Sequence, residues 1–132
     1  MDYQTVRQLK GLELGKAVAK ALGWKVEPYT LLESMGYKCR LVSPDGHPYH
    51  LAMSEPEAWL HLPDFESSIA YAMPLAEKFG YAVMPHNDRW YALPFDEFPT
   101  VRDAHEVRLD DDFSGDSPAE AICRCYLLKE VS

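Results

Sequence analysis

The sequence predicts an α+β fold in which a small antiparallel β-sheet is sandwiched between α-helices, as one domain spanning residues 1–132. Three observations carry this prediction. Two segments with helical periodicity each end at a glycine, two pairs of strand-like segments are each joined by a short turn, and a helix-capping sequence opens the last apolar segment.

The first helical segment runs from Gly11 to Gly23, with Leu14, Val18, Ala21 and Leu22 on one face and Glu13, Lys16 and Lys20 opposite. Gly15 interrupts it and permits close approach of a neighbouring element. Gly23 suits the left-handed residue that follows a helix end. Residues 24–36 are ambiguous, and Pro28 blocks a regular helix there. The segments 37–43 and 47–53 flank Ser43-Pro44-Asp45-Gly46 and read as a β-hairpin. A second helix is expected over 65–80, burying Ile69, Met73, Ala76 and Phe79 and leaving Pro74 toward solvent. A second hairpin follows, 81–85 and 89–95, joined through His86-Asn87-Asp88. Its later strand is apolar on both faces and needs cover on both sides. Residues 96–103 read as loop, Ala104 to Leu109 as a last strand, and residues 110–115 as a solvated loop. Ser117-Pro118-Ala119-Glu120 places a serine cap, a first-turn proline and a glutamate at the third position of a third helix. Ala121, Ile122, Cys125 and Leu128 form its inward face, with Arg124 on the opposite one.

At 47% hydrophobic residues the chain has enough apolar material for one core. No apolar run approaches the ~20 residues of a membrane span. The opening Met-Asp-Tyr-Gln-Thr lacks the basic-then-apolar order of a secretory signal, so a cytoplasmic location is expected. The three cysteines, Cys39, Cys123 and Cys125, are an odd number and read as reduced packing residues. The net charge of −8 argues against direct nucleic-acid binding by phosphate neutralisation. The excess is concentrated in residues 96–120, which hold nine acidic side chains against two basic ones.

Taken in order, LELGKAVAKALGW, MPLAEKFGY, WYAL and GDSPAEAICRCYLLKE resemble the phage ABA-sandwich domain family, which includes the NinX-like group of small phage proteins. The resemblance covers roughly residues 11–130 and is strongest in AVAKALGW and SPAEAICRCYLL. It implies an antiparallel sheet between helix layers and a phage or prophage product acting in the bacterial host cell. It brings no catalytic motif, and the shared positions Ala17, Gly23, Trp90, Ala121 and Ile122 read as packing and capping residues.

The residues themselves offer little chemistry. His47 and His50 fall on opposite faces of a strand and are poor partners for one metal. Asp110, Asp111, Asp112 and Asp116 lack the glycine and glutamate spacing of an EF-hand calcium loop. There is no nucleophile elbow and no glycine-rich phosphate loop. No enzyme, metal or cofactor is therefore expected. Two kinds of side chain remain as candidate binding residues. Trp59 lies in a Pro-bounded segment read as a loop, where tryptophan can anchor a partner. Asp110, Asp111, Asp112 and Asp116 can meet a basic surface. The leading expectation is a non-enzymatic phage accessory protein that binds a host or phage macromolecule, with a protein as the expected partner and self-association left open. The alternative is a nucleotide-like small-molecule binder, which requires Lys38, Arg40 and Arg89 to gather locally.

Overall fold

The computed structural model describes residues 2–97 and 111–131. Its architecture is α+β with antiparallel pairing, as the sequence predicts, and among the described residues the strands divide into two three-stranded sheets. The expected strand at Ala104 to Leu109 lies outside the described residues.

The chain opens with α1 (Tyr3–Gln8) and α2 (Gly11–Leu22). Asp2 caps α1 by accepting from the Thr5 amide at 2.8 Å. Leu14, Ala17, Val18 and Ala19 of α2 enter the core, while Ala21 is exposed, so the inward stripe is rotated from the expected one. Gly23 ends the helix at φ +108°, a conformation that a Cβ would strain.

The first sheet is β1 (Lys25–Pro28), β2 (Cys39–Val42) and β3 (Pro48–Ala52), in that order. The expected 43–46 turn closes the β2–β3 hairpin, with the Gly46 amide donating to the Ser43 carbonyl at 2.9 Å. Helix α3 (Glu55–Trp59) covers this sheet. Ser54-Glu55-Pro56-Glu57 repeats the cap signature of residues 117–120: the Ser54 hydroxyl accepts from the Glu57 amide, and a Glu57 carboxylate oxygen accepts from the Met53 amide. The segment around Trp59 is therefore a helix, not the expected loop.

Helix α4 (Ile69–Phe79) ends at Gly80 and carries Pro74 exposed, as expected. Its phase differs from the periodicity reading. Ala72, Leu75 and Ala76 are buried, whereas Ile69, Met73 and Phe79 are each more than a third exposed. The small Ala72 and Ala76 let α4 approach α5 closely, so residue size rather than hydrophobicity sets which face turns inward.

The second sheet is β4 (Tyr81–His86), β5 (Arg89–Pro94) and β6 (Ser114–Gly115). Asn87 and Asp88, both at positive φ, make the two-residue turn between β4 and β5. Tyr91, Ala92 and Leu93 are buried in succession, confirming cover on both faces of β5. Ser114 and Gly115, expected in a solvated loop, instead pair with Tyr91 and Trp90 as a buried edge strand.

Helix α5 (Pro118–Val131) is the centre of the molecule. It packs on α1, α2, α4 and all three strands of the second sheet. The Ser117 hydroxyl accepts from the Glu120 amide at 3.1 Å, as the cap predicts. Residues 121–128 are buried without interruption, so α5 is enclosed on all sides rather than amphipathic.

Candidate functional site

Arg124 is the principal correction to the sequence reading. It was expected on the solvent side of α5, and it is 4% exposed. One terminal nitrogen donates to the Ser114 carbonyl and lies 3.0 Å from a Glu120 carboxylate oxygen. The other donates to the Leu9 carbonyl at 2.6 Å. A guanidinium is suited to such a position because its planar fork serves several acceptors at once. The Leu9 carbonyl is one of the oxygens left without a helical partner at the end of α1. Nε of Arg124 is buried and has no hydrogen-bond partner.

Around this buried cation the fold gathers others. Arg7 comes from the last turn of α1, Lys10 from the α1–α2 junction, and Arg89 from the first position of β5. With Arg124 and Asp112 they line a concavity of about 250 Å³. Arg89 is oriented by Nε donating to the Ser114 hydroxyl at 2.9 Å and by a terminal nitrogen 3.1 Å from Asp116. Ser114 thus accepts from both Arg89 and Arg124, through its hydroxyl and its carbonyl. Nε of Arg7 lies 2.6 Å from an Asp112 carboxylate oxygen. Four cations thus converge on one concavity of an acidic chain; Asp112, Asp116 and Glu120 pair with Arg7, Arg89 and Arg124, and Lys10 carries the excess positive charge.

The residues singled out from sequence fall in different places. Asp110 lies outside the described residues, and Asp111 begins the 3₁₀ turn Asp111–Phe113. Asp112 is 19% exposed against Arg7, and Asp116 is 77% exposed against Arg89. Trp59 is 5% exposed, within the smaller core beneath the first sheet. Its indole donates to Glu55 at 3.4 Å, and Lys16 and Lys20 sit over its ring at 5.8 and 5.2 Å. Trp59 and the aspartates therefore do not form one site. Of the three cations required for an anionic ligand, only Arg89 lines the concavity. Arg40 belongs to the first sheet, where it pairs with Glu27 at 3.2 Å, and Lys38 adjoins the same sheet. Sequence reasoning missed Arg7, Lys10 and Arg124. One local sign was available: Glu120 and Arg124 stand four apart on the helix and pair.

The cysteines are free and buried, as expected. Burial raises all three thiols, Cys125 to about 12. Cys123 donates to the Phe65 carbonyl at 3.2 Å. His50 and His61 stack with ring centroids 3.6 Å apart, and His61 lies 4.0 Å from Glu57. Among the described residues no group of three or more His, Cys, Asp or Glu side chains is placed to hold a metal. Among the same residues no helix is long and apolar enough to cross a membrane. Comparison with protein-family models, with characterised proteins and with solved structures returns no match.

Proposed function

We propose that this chain is a non-enzymatic accessory protein, phage-encoded as the sequence resemblance implies, that works by binding an anionic ligand at the concavity lined by Arg7, Lys10, Arg89 and Arg124. The convergence of these four cations carries the reading. Charge-assisted hydrogen bonds from guanidinium groups are among the strongest available for a phosphate or carboxylate. Among the described residues the lining is dominated by cationic donors, a composition suited to holding an anion.

A thermal-shift screen of small phosphate- and carboxylate-bearing compounds tests this reading. Ligands that occupy the concavity raise the melting temperature of the wild type and not of an Arg7→Gln, Lys10→Gln variant. If no compound shifts the wild type, or if the variant shifts equally, the reading fails.

A further inference from the structure

We propose that the concavity selects a phosphate monoester over a carboxylate, because Asp112 already occupies Arg7 in the manner of a carboxylate ligand. This inference rests on the anion-binding reading above.

The argument begins with the Arg7–Asp112 contact. At 2.6 Å it is a close, charge-assisted pair, and Asp112 is itself part of the wall of the concavity. An anion that enters to use Arg7 must compete with this resident group. An intramolecular group competes at an effective concentration of roughly millimolar or more. A free carboxylate of equal charge, with the same two oxygens, gains little by the exchange.

A phosphate monoester differs in the two respects that matter. It carries about −1.5 to −2 charges near neutral pH and three strong acceptor oxygens. It can engage Arg7 and Lys10 together. Arg89 is a third donor. Its Asp116 partner is highly exposed, and such a pair is weakly held in water. Arg124 serves differently. Its terminal nitrogens are committed to Ser114, Leu9 and Glu120, and the Glu120 carboxylate offsets its charge, so it shapes the wall while Arg7, Lys10 and Arg89 supply the donors. The volume of about 250 Å³ is small for a whole nucleotide and sufficient for a phosphate group, with the rest of the ligand extending outward.

The test is calorimetric titration at low ionic strength with three probes: acetate, inorganic phosphate and a nucleoside 5′-monophosphate. The wild type is expected to bind at least one phosphate probe about tenfold or more tightly than acetate. In Asp112→Asn, acetate should bind about tenfold more tightly than to the wild type, narrowing the discrimination. Tighter binding of the nucleotide than of inorganic phosphate supports the monoester; inorganic phosphate bound as tightly or more tightly supports selection of phosphate over carboxylate and overturns the ester. Wild-type protein that binds acetate as well as phosphate overturns the selectivity and leaves the anion site standing. So does an unchanged acetate affinity in a folded Asp112→Asn variant. Failure of every probe to bind either protein overturns the site and its selectivity together. The wild-type comparison decides the matter alone if the variant does not fold.

Discussion

Arg124 donates a 2.6 Å hydrogen bond to the main-chain carbonyl of Leu9, 115 residues earlier in the chain. With the bond to Ser114, this fastens α1, β6 and α5 through one side chain. Arg124→Ala should therefore cost about 3–5 kcal/mol, because it leaves Glu120 and two carbonyls without their cation. Arg124→Lys should recover only part of this, since an ammonium lacks the fork. Urea denaturation gives the comparison; a loss within about 0.5 kcal/mol would restore the solvent-facing assignment made from periodicity.

Ile122 and Ser117 test packing and capping on the same helix. Ile122 is fully buried, so Ile122→Ala should cost about 2–5 kcal/mol. Ser117→Ala removes the acceptor of the Glu120 amide and should cost about 1 kcal/mol. Equilibrium melts of the two variants should rank in that order, and the reverse order would contradict the assigned helix start.

Glu66 supplies the pH dependence. Its carboxylate packs against Gly15, in the place that a Cβ there would take. Burial holds its carboxyl above the usual range, with the nearby Asp64 adding to the effect. A carboxyl raised in the folded state favours folding when protonated. Its contribution is fully present below the ordinary carboxylate range and is lost as pH rises through the raised value. Glu66→Gln should flatten that decline and raise stability at neutral pH relative to wild type. Melting temperatures measured from about pH 4 to about pH 7 read this directly; parallel curves for the two proteins would rule out the assignment.

The thiols should behave as inert core residues. With the Cys125 thiol pushed up to about 12 and the other two also raised by burial, little thiolate exists at neutral pH. Alkylation of native protein with iodoacetamide should be slow at all three positions and should accelerate when urea opens the fold. Rapid labelling of Cys123 or Cys125 in the native state would require an opening that leaves α5 exposed.

Much of the fold was legible because its signals are local. Gly23, Gly80, Asn87-Asp88 and Ser117 fix their own backbones, and the elements they bound lie close to the expected ones. The phase of α4 was not legible, because choosing between Ala72 and Met73 as inward residues depends on how closely α5 approaches. Residues 121–128 of α5 are buried all round, so the charge of Arg124, which marks an outward face by periodicity, does not reveal that its guanidinium is held inside by Ser114, Leu9 and Glu120. The candidate site shows the same limit more sharply. Arg7, Lys10, Arg89 and Arg124 are separated in sequence and meet only after both helices and the second sheet have packed. Asp112 and Asp116 drew notice as a local run of charge, and that run says nothing of the distant arginines that answer it.

The central position of α5 has a consequence for the order of assembly during synthesis. Helices α1, α2 and α4 and the second sheet all rest on an element that leaves the ribosome after every one of them. The first sheet with α3 has its own small cluster, built from Cys39, Leu41, Ala52, Ala58 and Trp59, and can close while translation continues. The larger unit must wait, its apolar surfaces uncovered, until residues 118–131 arrive. Long-range closure of this kind is slow relative to local pairing. The nascent chain is therefore most open to chaperones, proteases and aggregation just before α5 appears.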